Sequence, residues 1–120
     1  MKTLYLLITL TQNAAGDVNA AFVNTETLQQ CQQKALMVES VFKNSDIPVL
    51  ESRCIESNMQ FSEFGHAENS RNIRYFYLTY FNAATTRIVA MPDWRTCMSQ
   101  KKNNTEQSRV YCSSSVQSVQ

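Results

Sequence analysis

The sequence predicts an α+β fold. Two copies of a ββαβ unit, related by a pseudo-twofold axis, make a two-layer structure: one antiparallel or mixed sheet with two helices on one face. Three observations predict it. The segment FVNTETLQQC at 22–31 aligns without a gap on IVAMPDWRTC at 88–97, an offset of 66 residues. An apolar, strand-like run precedes each segment, LYLLITL at 4–10 and RYFYLTYF at 74–81. One more cysteine follows each segment, Cys54 after Cys31 and Cys112 after Cys97. The alternative is a ferredoxin-like βαββαβ sheet, which requires the short return strand after each turn to stay unpaired.

Residues 4–10 are apolar at nearly every position, the pattern of a strand buried on both faces. Behind Met1 and Lys2 this run has the outline of a short signal sequence, with Val18-Asn19-Ala20 as its cleavage site. Its counterpart at 75–81 lies mid-chain and cannot be a signal, so 4–10 reads as the first core strand. The turn-rich TQNAAGD at 11–17 holds Gly16, which supplies a positive φ. Residues 18–23 then return as the second strand of a hairpin. Thr27 is the N-cap of a helix over 28–43, and Gln30 completes a capping box. Leu28, Cys31, Ala35, Val38 and Phe42 recur at three- and four-residue steps as its buried stripe. Asn44-Ser45-Asp46 ends the helix and Pro48 blocks its return. Residues 49–55 form a strand with Leu50, Ser52 and Cys54 on one face.

The domain divides into a first unit at 1–57, a connector at 58–72, a second unit at 73–115 and a polar tail at 116–120. The connector is polar apart from Met59, Phe61 and Phe64, which cover an edge of the core. In the second unit, 74–81 and 86–91 are strands around a turn at 82–85. Asp93 takes the place of Thr27 as N-cap, Trp94 that of Leu28 and Cys97 that of Cys31. The second helix is short, 94–103, and Trp94 is expected to be largely buried as its first-turn anchor. Residues 109–114 are the last strand, with Val110 and Cys112 on one face.

Spacing assigns the cysteines. Cys31 lies about 18 Å before the end of its helix by the helical rise, and Cys54 about 20 Å beyond Pro48 by the strand rise. A helix packed antiparallel on the next strand brings them level. In the second unit both legs shrink together, to about 9 Å and about 10 Å. The expected bridges are Cys31–Cys54 and Cys97–Cys112, the one pairing of three that respects the repeat. No two cysteines are close enough in sequence for a zinc site or a redox CxxC pair. Bridges place the chain outside the cytosol, in a periplasm, secreted or in a virion; a cytoplasmic protein with reduced thiols is the alternative.

Hydrophobic residues make up 43% of the chain, enough for a core, and charged residues only 18%, with net charge +1. Bulk electrostatics therefore draw it to neither nucleic acid nor anionic lipid. No run reaches the roughly 18 to 20 apolar residues of a membrane-spanning helix. His66, the only histidine, sits with Glu63 and Glu68 in the polar connector and reads as a solvated loop residue. Glu51 and Glu56 flank Cys54 without an apolar pocket signature. No catalytic, metal-ligating or cofactor-binding residue is assigned, and the chain is expected not to be an enzyme. The aromatic strand from Arg74 to Phe81 resembles a base- or sugar-stacking surface, but lacks the glycine of an RNA-recognition strand. The expectation is a non-enzymatic, disulfide-stabilised structural or interaction protein, a small subunit of an oligomer or larger envelope or virion assembly. A protein partner or a second copy would cover the sheet through Tyr5, Leu7, Tyr75 and Tyr77. The alternative is a small glycan- or peptide-binding module using an aromatic sheet face, with a groove beside that strand and a solvent-facing Trp94 as its marks.

Overall fold

The computed structural model describes residues 3–62, 74–83, 85–104 and 108–119. In chain order the elements are β1 (Tyr5–Gln12), β2 (Val18–Thr25), α1 (Leu28–Asn44), β3 (Val49–Glu56), β4 (Tyr75–Phe81), β5 (Thr86–Met91), α2 (Trp94–Lys102) and β6 (Arg109–Ser115). The six strands form one mixed sheet in the order β3-β1-β2-β6-β4-β5. Neighbours pair antiparallel except at the centre, where β2 and β6 run parallel through a single bridging pair, Asn19 and Ser114. Both return strands, β2 and β5, are paired, so the condition for the ferredoxin-like alternative is not met.

Local chemistry places the elements. Asn13 Oδ1 accepts from the backbone N–H groups of Ala15 and Asp17, and Gly16 takes φ 88°, which closes the β1–β2 hairpin. Thr27 Oγ1 accepts from Gln30 N at 3.1 Å, while Gln30 Oε1 reaches back to Glu26 N at 3.0 Å. Asp93 caps α2 in the same way, accepting from Thr96 N at 2.7 Å. The helices are pinned by two disulfides, Cys31–Cys54 and Cys97–Cys112, with Cα separations of 6.0 and 5.9 Å. Register puts both helices on one face. Leu7 pairs with Cys54 and Val23, Asn19 lies four residues before Val23 and pairs with Ser114, and Ser114 lies two residues after Cys112.

The other face is not open, because the sheet curls around it. Leu6, Ile8 and Leu10 of β1, Phe22 of β2 and Tyr77 and Phe81 of β4 meet in one buried cluster. Phe61, from the connector, inserts among them. Its ring stacks on Phe22 at 3.8 Å between centroids, and Tyr77 meets both rings edge-on at 5.3 and 5.6 Å. The rim of the curl is tied by side chains. Arg53 of β3 donates to Asn82 O at 2.8 Å and to Thr86 Oγ1 at 3.0 Å. Glu51 accepts from Arg109 Nε and Nη2 of β6, at 2.5 and 3.1 Å, and from the Tyr111 hydroxyl at 2.9 Å.

Two side-chain amides, one partly and one wholly buried, act as substitute strands. Asn24 gives Nδ2 to Phe61 O at 2.7 Å and receives Phe61 N on Oδ1 at 3.0 Å. Gln117, wholly buried, accepts from Phe22 N at 2.8 Å and donates to Phe22 O and Ser62 O, both at 2.7 Å. Replacing Gln117 with leucine keeps the bulk but leaves three main-chain groups unpaired. Each unmade bond costs about 1–3 kcal/mol, so Gln117→Leu should lower the urea midpoint by an amount worth at least about 2 kcal/mol. An unchanged midpoint at constant slope would show that those groups find other partners.

These contacts correct several expectations. Of the polar tail, residues 116–119 form a strap folded over the core, where Val119 bridges Phe61 and Ser62 N donates to Ser118 O at 2.9 Å. Met59 and Phe61 do cover the core, whereas Phe64 lies outside the described residues. Leu50 does not share the Cys54 face, because a bulge opposite Leu10 and Thr11 turns it toward the interior cluster. Trp94 is 38% exposed rather than buried, since the first helical residue sits on the rim of the sheet and not over its centre.

Candidate functional site

The proposed interface residues separate. Leu7 is buried beneath α1, and Tyr77 is sealed between Phe22 and Phe61, with its hydroxyl donating to Gln117 O at 2.8 Å. Burial pushes that hydroxyl up to about 12, so it stays a neutral donor. Neither residue has surface to offer a partner; the curl supplies the cover that a second chain was expected to supply. Tyr5 is partly exposed and Tyr75 more so, but they lie apart from any shared open face. His66, Glu63 and Glu68 lie outside the described residues. Glu56 ends β3 at the surface. Among the described residues no three His, Cys, Asp or Glu side chains gather as a metal site.

Glu51 is committed to holding the curl. The Arg109 guanidinium holds its carboxyl below the ordinary value of 4.5; burial opposes this, and the Tyr111 hydroxyl adds to it. A carboxyl with a lowered folded-state pKa stabilises fully above its unfolded value and loses that contribution as pH falls through the folded value. The β3–β6 tie should therefore weaken below about pH 4.5. Thermal melts should show a fall in stability from neutral pH to about pH 3 that is smaller in Glu51→Gln; equal falls in both proteins would exclude this carboxyl as the source.

The open feature of the surface lies on the helix face, along the β2–β6 seam. Only one main-chain pair joins these strands, so the seam is spanned by side chains. Arg74, just before β4, donates from one nitrogen, Nη2, to Asn19 Oδ1 at 2.6 Å and to Ser114 Oγ at 2.9 Å. A hollow opens on either side of this bridge. One, about 500 Å³, runs toward Phe42 and Ile47 at the end of α1. The other, about 370 Å³, runs toward Phe76 and Trp94 at the start of α2, with Asp17 on its wall. Asn13, Asn19, Arg74 and Ser114 line both, so the two make one trough between the helices. Trp94 meets Phe76 edge-on, with centroids 5.9 Å apart. A larger hollow of about 590 Å³ lies beside α2 over Tyr80, but the Arg87 guanidinium already covers that ring at 4.1 Å.

The trough offers an aromatic wall, a guanidinium, amides and hydroxyls. It can stack and hydrogen-bond a ligand. Sequence reasoning picked out Arg74 and Phe76 only as parts of an aromatic strand, and missed Asn13, Asn19 and Ser114. Nothing local marks those three, because the seam that unites them joins residues 95 apart.

The fold and surface define a small α+β protein with a curled six-stranded mixed sheet, two helices and two disulfides. No helix among the described residues is long and apolar enough to cross a membrane. No protein-family model, curated protein or solved structure matches the chain.

Proposed function

We propose that this chain is a non-enzymatic, disulfide-stabilised binding module that works outside the reducing cytosol, with the trough between its helices as its contact surface. The half-exposed Trp94 beside Phe76 carries the reading, because it opens on a hollow whose other walls are polar apart from Val18. An aromatic face next to convergent amides and hydroxyls suits a ligand with one apolar side and many hydrogen-bonding groups, a glycan or a short peptide. The two bridges support an oxidising compartment.

The module is a duplication, with units at 1–57 and 73–115 joined by 58–72. Several features support this. The strand order within each half is third, first, second. Pairing directions run β1 parallel to β4, as a rotation about an axis along the strands requires. Thr27 and Asp93 cap equivalent helices, and each bridge ties the helix to the strand after it.

Trp94 is the only tryptophan, so its emission reports on the trough directly. A panel of soluble oligosaccharides and short peptides should contain members that shift it in a saturable way. A panel that leaves the emission untouched at millimolar concentration would remove the binding reading.

One observation favours a second reading, a subunit of an assembly. On its outer side α1 exposes Leu36, Met37 and Val41. Light scattering at micromolar concentration should give 13.7 kDa for the binding module. A dimer that Val41→Lys dissociates would favour the assembly.

A further inference from the structure

Resting on the reading of the trough as a ligand site, we infer that its ligand is an acidic sugar: a hexuronate ring whose face lies on Trp94 and whose carboxylate meets Arg74. Position, charge and shape all point this way.

Arg74 stands at the divide between the two hollows and spends one nitrogen, Nη2, on the protein through Asn19 and Ser114. That bond fixes the plane of the guanidinium. Three of its five N–H donors, the one on Nε and the two on Nη1, are not used by that bridge, and each can give a carboxylate a charge-assisted hydrogen bond. An arginine held in place by its own chain loses less freedom on binding than a loose lysine. The larger hollow, on the α1 side of Arg74, has no acidic residue in its lining, so a carboxylate there meets no repulsion from the walls.

On the α2 side the wall changes character. Trp94 and Phe76 provide apolar surface, and Asp17 provides an acceptor. A sugar ring has one face of C–H groups and a rim of hydroxyls. The C–H face suits the indole, and a hydroxyl donates to the Asp17 carboxylate. Asp17 repels a second anion at that end, which sets the orientation: carboxylate toward α1, hydroxyl rim toward Asp17.

The test is a titration of Trp94 emission with trimers of galacturonate, glucuronate and mannuronate, each compared with its methyl ester. The ester keeps the ring and removes the charge. At least one acid should bind about 10- to 100-fold more tightly than its ester, the usual worth of hydrogen bonds to a charged group. That preference should shrink as salt is raised and vanish in Arg74→Gln. Arg74→Lys, which keeps the charge without the fixed, planar set of donors, should retain part of it. Arg74 also spans the seam, so far-UV circular dichroism must show Arg74→Gln folded; if it is not, the acid-to-ester ratio in the unaltered protein and in Arg74→Lys decides. Equal binding of acid and ester, or binding by peptides alone, would overturn the carboxylate assignment while leaving the trough a ligand site. No emission change with any sugar or peptide would overturn both.

Discussion

Replacing all four cysteines with alanine should strip both helices from the sheet. The bridges close loops with separations of 23 and 15 residues, each worth about 3 kcal/mol by the loop-closure relation. Together they approach the whole stability of an ordinary small domain, about 5–15 kcal/mol. Their weight is greater here because the helices have little else to hold them. Cys31 is the one residue of α1 that is fully buried, and Cys97 the one residue of α2. Of the rest of the expected stripe, Ala35, Val38 and Phe42 are only partly covered and Leu28 is exposed. A nine-residue helix such as α2 is marginal alone in water. Far-UV circular dichroism should therefore lose its helical component at lower denaturant than its strand component. A single transition, displaced by less than about 1 kcal/mol, would mean that the helices are held by packing and not by sulfur.

The second large effect is expected at Phe61. Truncating a buried aromatic to alanine costs about 3–5 kcal/mol, and Phe61 joins three parts of the fold. Its ring fills the gap between Phe22 and Tyr77, and its backbone is held by Asn24 and paired with Val119. Phe61→Ala should open the concave face, release residues 116–119 and expose enough apolar surface to bind a hydrophobic dye. Phe61→Leu should recover more than half of the loss. A cost near that of a surface substitution, below about 0.5 kcal/mol, would place the ring outside the true core.

What was legible in the sequence was local or repeated. Thr27 with Gln30, and Asp93 in the equivalent place, announce the helix starts. The cysteine pairing followed from the matched lengths of helix and strand. The hairpin turn was visible in Asn13 and Gly16. The curl is not visible in the sequence. Runs apolar on both faces, 4–10 and 75–81, do need two covers, and two short helices supply one. The second cover is the other half of the sheet together with Phe61, a single aromatic in a polar connector. Gln117 falls in the polar tail, and a glutamine carries no burial signal of its own. Its partners are Phe22 and Ser62, and pairing across such distances leaves no periodic trace. The trough was half legible. The aromatic strand pointed to Phe76, while the burial expected of Trp94 pointed away from the site that Trp94 lines.

The Gln117 amide has one more consequence. The Phe22 N–H ends on a side chain near the far end of the chain and not on the neighbouring strand. Its exchange with deuterated solvent is therefore timed by the release of residues 116–119, while the β2 amides that face β1 are timed by separation of those two strands. Within one strand, the Phe22 proton and its β1-facing neighbours keep two different clocks. Comparing them residue by residue would separate lifting of the C-terminal strap from opening of the hairpin, without a mutation or an added label.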